Sequence, residues 1–297
     1  MLYFAYGSNL DAADFAAWCQ RHDYAAARLD PVAPALLPDR ALSFERHSRG
    51  RGGGVLTLAP RLGHMVDGVL FEANEAAIEA LDNKEGHPQA YRREEVHALL
   101  ADGRAIACFT YDVPPERRVP FAEPTPAYLA VVRRGLAAHG LPEAALLDAA
   151  AGRLAAPAVA WLFVYGTLLA GEANAQHLDG LQRQPATVPG ALHDCGPYPA
   201  MALGTGQVRG EILPLDPARL TALDALEGAR PFGAPGGLYR RTVLRATLAN
   251  GEVQPVQTYV MDDASAFPPI ETGDWRSVSN RHAAWAAYAA RRPKAER

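Results

Sequence analysis

Apolar residues in this chain come in short runs that end on turn-forming residues, and the runs recur in the same order twice. In the first half, Met1–Ala5, Leu42–Phe44, Val55–Ala59 and Val66–Phe71 read as strands, and Glu95–Leu100 with Ile106–Tyr111 as a hairpin closed at Asp102-Gly103. Helical spacing intervenes. Asp11–Gln20 sets Phe15, Trp18 and Cys19 on one face and predicts a helix with all three in the core. Glu75–Leu81 predicts a short helix that delivers Glu85 at its end, and Pro126–His139 a helix stopped at Gly140 with Pro142 beyond. In the second half, Trp161–Tyr165 and Val208–Leu213 read as strands, with a stiff turn over Gly196–Ala200. Thr242–Thr247 and Val256–Met261 form a hairpin around Asn250-Gly251. Ala173–Leu181 and Pro217–Leu226 read as helices, the second presenting Glu227, and the tail holds Gly273-Asp274-Trp275-Arg276 and a basic helix with Trp285 and Tyr288, packed across the sheet. Strands and short helices that alternate without long crossover helices predict an α+β fold, a mixed and strongly curved sheet closed into a small β-barrel with helices outside.

The repetition is one of register as well as of element type. Tyr6-Gly7-Ser8-Asn9-Leu10 follows the first apolar run, and Tyr165-Gly166-Thr167-Leu168-Leu169 follows its counterpart. Gly68 leads 17 residues later to Glu85, in Leu-Asp-Asn-Lys-Glu-Gly; Gly210 leads, also 17 later, to Glu227, in Leu-Asp-Ala-Leu-Glu-Gly. Tyr91 then lies 6 residues past Glu85 and Tyr239 12 past Glu227, the difference being a Gly- and Pro-rich insertion, Ala229–Gly237. Beyond it the frame resumes: Gly103 and Gly251 follow those tyrosines by 12, and Tyr111 and Tyr259 follow the glycines by 8. A register that survives an insertion predicts two copies of one fold, at 1–150 and 158–297, divided by the Ala-rich stretch between Pro142 and Pro157.

Composition narrows the function classes. At 297 residues, 49% hydrophobic and 21% charged, the chain is long enough for two domains with cores of their own. A net charge of −4 supplies no basic surface for nucleic acid, and no run of 18 apolar residues is present to span a membrane. The start MLYFAYGSNL reads as the first strand and not as a signal peptide. Cys19, Cys108 and Cys195 are three and widely spaced, against a disulfide framework or zinc site, which fits a reducing cytoplasm.

Candidate chemistry sits at the two repeated blocks. A strand that breaks at Tyr-Gly into a helix start points several backbone N–H groups at one spot, where a carboxylate, phosphate or oxyanion can be held, and Gly7 and Gly166 let the backbone come close. Glu85 and Glu227 recur in phase with that turn. The glycine run Arg49–Gly54 fits neither the dinucleotide fingerprint nor a P-loop, and reads as a plain solvent turn or as a loop bordering a pocket. Arg92, Arg93, Arg240 and Arg241 read as a solvated strand edge.

Together these residues resemble the gamma-glutamylcyclotransferase family. Tyr6-Gly7-Ser8-Asn9-Leu10 with the Leu-Asp-x-x-Glu-Gly block, Tyr91, Pro126-Ala127-Tyr128-Leu129 and Gly140-Leu141-Pro142 look like the family itself. The second copy, with Tyr165-Gly166-Thr167-Leu168-Leu169, Glu227 and the Gly-Asp-Trp tail, looks like its AIG2-like and gamma-glutamylamine cyclotransferase sister group. The resemblance implies a six-stranded barrel with a cavity between turn and glutamate, and a reaction in which the α-amine of a gamma-glutamyl group attacks its own γ-carbonyl, giving 5-oxoproline and a free amine. It implies Glu85 and Glu227 as general acid/bases, with pKa values raised where their pockets are apolar. Backbone amides of Gly7, Ser8, Asn9 and Leu10, and of Gly166, Thr167 and Leu168, hold the substrate carboxylate or oxyanion; Tyr6 and Tyr165 wall the cavity; Tyr91 and Tyr239 bond the substrate or orient the glutamate. Thr167-Leu168 in place of Ser8-Asn9 removes a polar side chain and points to different leaving groups. No metal or organic cofactor is called for; the partner is a small gamma-glutamyl compound. Two alternatives stay open: a binding or regulatory module that holds such a ligand intact, and an amidase that uses water.

Overall fold

The computed structural model describes residues 1–230 and 237–291. The described chain divides into two compact units, one built on Met1–Leu100 with Ala105–Ala158 and the other from Val159 onward.

In the first unit, β1 (Leu2–Ala5), β2 (Leu29–Ser48), β3 (Gly53–Ala73), β4 (Arg92–Leu99) and β5 (Ala105–Asp112) close into a barrel in the order β1-β3-β2-β4-β5. All neighbours are antiparallel except β1 and β5, which run parallel at Tyr3 and Phe109 and complete the ring. The helices are α1 (Ala12–Arg21), α2 (Glu75–Glu85), α3 (Pro126–Ala138) and α4 (Ala144–Ala150). In the second unit, β6 (Trp161–Val164), β7 (Gln184–Asp194), β8 (Pro199–Pro214), β9 (Arg240–Leu248) and β10 (Val253–Val260) repeat the ring as β10-β6-β8-β7-β9, again with one parallel closure, Gln257 against Leu162. Its helices are α5 (Pro217–Leu226) and α6 (Arg281–Arg291). Among the described residues no helix is long and apolar enough to cross a membrane.

Each barrel therefore has five strands and not the six that the family resemblance implies. The segments Leu42–Phe44 and Val55–Ala59, with Val66–Phe71, are pieces of two long strands, β2 and β3, which pair along most of their length and bend where the register shifts, at Pro31/Ala33, Pro38/Arg40 and Ser43/Arg46. At one bend Asp39 adopts φ 57°, and its carboxylate accepts from the Gly63 N–H at 2.9 Å. Such irregularities let one strand turn the corner that closes a barrel. Two elements differ further. The helix expected over Ala173–Leu181 is a single 3-10 turn, Ala175–Leu178, bracketed by left-handed Gly171 and Gly180. β7 occupies a stretch, with Pro185, Pro189 and Gly190, to which the sequence pattern assigns no element. Most of the predicted insertion Ala229–Gly237, and the last six basic-rich residues, lie outside the described residues.

Helix ends explain how the glutamates are delivered. Asn74 caps α2, accepting from the Ala77 N–H at 2.9 Å, and Gly86 ends it in the left-handed region at φ 63°. Glu85 is consequently the last helical residue. Asp216 caps α5, with Pro217 in the first turn, and Glu227 is the residue on which that helix stops. Each unit has its own apolar core: Phe4, Leu58, Leu70 and Leu81 in one, Phe163, Val208, Ile212 and Leu220 in the other, all nearly inaccessible. Trp275 of the tail belongs to the second core, whereas α6 buries no residue fully.

The glycines that open the repeated blocks have a packing reason. A Cβ on Gly68 would collide with the Ala5 carbonyl and the Phe4 ring, and one on Gly210 with the Val164 carbonyl and the Phe163 ring. Those carbonyls sit at the ends of β1 and β6, one residue before the Tyr-Gly turns. Gly68→Ala and Gly210→Ala are each expected to destabilise their own unit by about 1–3 kcal/mol. In thermal unfolding each should lower one transition; an unchanged profile contradicts the close approach.

Candidate active site

In the first unit the turn after β1 is a 3-10 helix, Ser8–Leu10, followed by α1, which Asp11 caps by accepting from Ala13 and Asp14 N–H. Leu10 donates its N–H to the Gly7 carbonyl at 3.0 Å, and its side chain is core. Leu10 thus leaves the predicted cradle, because closing the turn consumes its amide. The N–H groups of Gly7, Ser8 and Asn9 have no protein acceptor among the described residues, and these three residues line a cavity of about 30 Å3 with Tyr3, Tyr6, Leu56, Glu85, Tyr91, Tyr111 and Tyr128. In the second unit Leu169 spends its N–H in the same way on Gly166. There Gly166, Thr167 and Leu168 line a cavity of the same volume with Phe163, Tyr165, Tyr198, Pro199, Glu227, Tyr239 and Tyr259.

A frame of tyrosines is common to both. Tyr6 donates to the Tyr111 carbonyl at 2.8 Å and Tyr165 to the Tyr259 carbonyl at 2.9 Å. Tyr91 donates to the Leu56 carbonyl at 2.8 Å and Tyr239 to the Pro199 carbonyl at 2.7 Å. Tyr111 donates to Asp82 at 2.6 Å and Tyr259 to Asp224 at 2.7 Å. The protons of Tyr91 and Tyr239 are therefore committed to main-chain carbonyls and not to the glutamates; their hydroxyl oxygens remain as acceptors facing the cavities. Burial pushes the pKa values of Tyr6, Tyr91, Tyr165 and Tyr239 up, so all four stay protonated. Asp82 and Asp224, inside the repeated Leu-Asp-x-x-Glu-Gly block, anchor the helix that carries each glutamate to the barrel wall.

The environments of the two glutamates differ. Asn9 donates through Nδ2 to Glu85 Oε1 at 2.8 Å and to the Tyr3 hydroxyl at 2.9 Å, while its Oδ1 accepts from Lys84 Nζ at 2.5 Å. An ammonium can only donate, so Lys84 fixes which end of the Asn9 amide faces the carboxylate. Lys84 is itself buried and has its pKa lowered by burial, against the opposing charges of Glu85 and Asp14; it lies 3.5 Å from Asp14, on which Arg51 forks at 2.6 and 2.9 Å. Burial raises the Asp14 pKa, but the bonds from Arg51 and Lys84 outweigh it and hold the carboxyl below its usual range. In the second unit Leu168 and Leu226 stand where Asn9 and Lys84 stand in the first. Glu227 keeps some accessible surface as a residue, yet its carboxyl end sits among Tyr165, Pro199 and Tyr239, and loss of water, with some repulsion from Asp224, pushes its pKa from the usual 4.5 up to about 7.

That shift has a consequence for stability. Between about pH 4.5 and 7 the folded chain holds a proton on Glu227 that the unfolded chain has released, so this group's contribution falls as pH rises through that window. Glu227→Gln removes the ionisation. It is expected to raise the unfolding temperature at pH 8 by about 2–5 °C and to leave it nearly unchanged at pH 4. A gain of equal size at both pH values would contradict the raised pKa.

Several contributors had no role in the sequence reading. Tyr128, from α3, accepts from the Leu56 N–H at 3.2 Å and lines the first cavity, as do Tyr3 and Tyr111. Trp18 is not a core residue like Phe15 and Cys19: it is partly exposed, stacks on His22 at 4.1 Å between ring centroids, and lines a wider groove of about 460 Å3 that shares Ser8, Glu85, Tyr91 and Tyr128 with the inner cavity. Gly50 and Arg51 of the glycine run border that groove, as a pocket-edge loop should. Arg241 is buried and bonds to Asp224 at 2.9 Å and to Gln257 at 3.2 Å, so the solvated-edge expectation is wrong for it: the repeated Asp needs a counter-charge.

Comparison with known proteins adds an independent line. A family model described as "Gamma-glutamyl cyclotransferase, AIG2-like" matches residues 3–127 and 162–277. The gamma-glutamylcyclotransferase of Bos taurus is 31% identical over 146 residues, covering 48% of this chain and 72% of the relative. That of Homo sapiens is 31% identical over 147 residues, with the same two shares. A solved structure titled "Gamma-glutamyl cyclotransferase" is 28% identical, with a TM-score of 0.42, covering 48% of this chain and 80% of that one.

Proposed function

Because the chain belongs to the gamma-glutamyl cyclotransferase, AIG2-like family, we propose that each half releases 5-oxoproline and a free amine from a gamma-glutamyl compound. The observation that carries this reading is the pairing, in both halves, of one glutamate with three uncommitted backbone N–H groups across a tyrosine-walled cavity.

The chemistry asks for little more. The substrate α-ammonium must lose a proton before its nitrogen is nucleophilic, and Glu85 or Glu227 takes it. The amine then attacks the γ-carbonyl carbon; a C–N bond forms, and the carbonyl electron pair moves onto oxygen, facing the N–H groups of Gly7, Ser8 and Asn9, or of Gly166, Thr167 and Leu168. Collapse of this adduct restores the carbonyl and breaks the original C–N bond, while the protonated glutamate returns its proton to the departing nitrogen and then takes the second proton of the ring nitrogen, which becomes the lactam N–H; that proton passes to the released amine, which leaves as an ammonium ion. One carboxyl group serves all of these transfers, and no water enters. Closing a five-membered ring also requires the glutamyl chain to be folded back on itself, and rigid walls contribute here because a pre-oriented reaction avoids a large entropic cost. The bonds from Tyr6, Tyr91, Tyr165 and Tyr239 to main-chain carbonyls hold those walls.

Incubating the protein with a panel of gamma-glutamyl amino acids, peptides and amines, and analysing products by mass spectrometry, tests the reading. 5-Oxoproline with a stoichiometric free amine is the expected outcome. Free glutamate would make the protein an amidase, and ligands that stabilise it but return intact would make it a binding module.

A further inference from the structure

The first half carries a cation that the protein leaves without a counter-charge. Arg46, near the end of β2, lines the groove of about 460 Å3 outside the Glu85 cavity. It is half-buried, and its guanidinium lies over the Tyr91 ring, 5.5 Å from the centroid. Stacking holds a guanidinium by its face and leaves the N–H groups along its edge free to donate. Among the described residues no carboxylate pairs with it, although the other basic groups of the inner wall are engaged: Arg51 by Asp14, and Lys84 by Asn9 and Asp14. Arg21, on the exposed side of α1, is the outermost basic residue of the groove. Glu85 is the one carboxylate in the groove's lining, and Asn9 already bonds to it.

A half-buried, oriented and unpaired arginine next to a reacting centre is suited to an anion brought by the ligand. Because Ser8, Glu85, Tyr91 and Tyr128 border both spaces, a gamma-glutamyl group in the inner cavity directs its departing portion outward into this groove. We infer that Arg46 is a specificity-determining residue of the first half, and that the groove it lines is a subsite for leaving portions that bear a carboxylate, in preference to neutral amines. This rests on the cyclotransferase reading for the direction in which the ligand lies. Among the described residues, no Lys or Arg lines the inner cavity of the second half, where Tyr198 and Pro199 stand at the corresponding hairpin.

Binding separates this inference from turnover. In the full chain carrying Glu85→Gln and Glu227→Gln, the affinities of gamma-glutamyl-alanine and of its C-terminal amide are measured by calorimetry, with and without Arg46→Gln and Arg46→Lys. Loss of a charge-assisted bond at Arg46→Gln is expected to weaken the carboxylate form about 10–100-fold. The amide should change by less than about threefold, and Arg46→Lys should recover part of the loss. Equal weakening of both compounds by Arg46→Gln would mean that Arg46 only supports Tyr91, and no preference for the carboxylate form in the parent would mean that the groove does not select charge; either overturns the inference. Failure of the unsubstituted chain to release 5-oxoproline would instead count against the cyclotransferase reading and leave the binding result standing by itself.

Discussion

Replacing Glu85 and Glu227 together by Gln is expected to lower 5-oxoproline release about 10²–10⁴-fold, the range that one positioned acid/base group contributes. The substitution is nearly isosteric, so Asn9 can still donate to the amide oxygen at position 85, and in the second half the loss of a poorly solvated charge favours the fold. Activity and stability should therefore move in opposite directions, which a merely structural glutamate would not produce. Each single variant should silence one half. With Glu85→Gln, the remaining rate reports on Glu227 and should rise about tenfold per pH unit below pH 7 and level above it, because the base must be ionised to accept a proton. Wild-type turnover by the double variant would remove both residues from the mechanism.

Asn9→Leu is expected to have the next largest effect, about 10–100-fold on the first half alone, the usual weight of a hydrogen bond to a charged group. Asn9 joins Glu85, Tyr3 and Lys84, so its loss frees the carboxylate to rotate and strips the buried ammonium of its shortest contact. The change installs at position 9 the residue that the second half uses at Leu168. The reciprocal Leu168→Asn gives Glu227 a donor and should move its acid limb below pH 7, though only in part, because Leu226 offers no ammonium to orient the amide. Comparable losses in both halves from Asn9→Leu would show that the residue acts through folding and not on Glu85.

The parts of this protein that could be read from its sequence are those set by local rules. The strand-to-turn break at Tyr6-Gly7, the helix that ends at Gly86 and the hairpin at Asn250-Gly251 each have a short-range cause, and a register kept through an insertion reports duplication directly. What escaped reading depends on pairing at a distance. β2 contains Pro31, Pro34 and Pro38 and looks broken, yet it is continuous because β3 pairs with one edge while β4 meets the other at Leu36 alone, where missing N–H groups cost little. β7 hides behind Pro185 and Pro189 in the same way. Within the site, Glu85 and Glu227 stood out by repetition, but Lys84, Asp14, Arg51 and Arg46 come from separate elements and have no common spacing. The one available signal was a difference between copies: Asn9 and Lys84 in one, Leu168 and Leu226 in the other, a polar pair exchanged for an apolar pair at matching positions.

That exchange separates two ways of placing a carboxylate beside the same backbone cradle. In the first half an amide and a buried ammonium hold it; in the second, removal of water brings its pKa close to the pH at which proton transfer is most effective. Both keep the Tyr-Gly turn, the Asp that anchors the helix and the tyrosine bonds; on the proposed cyclotransferase reading, the shared features serve the reaction and the differing ones the choice of substrate.

Turnover of a gamma-glutamyl compound in 18O-labelled water, followed by mass spectrometry of the product, is the most direct test that the substrate's own amine is the nucleophile. Ring closure takes no oxygen from solvent, so 5-oxoproline of unshifted mass is the predicted result; glutamate heavier by one labelled oxygen would show that water attacks instead.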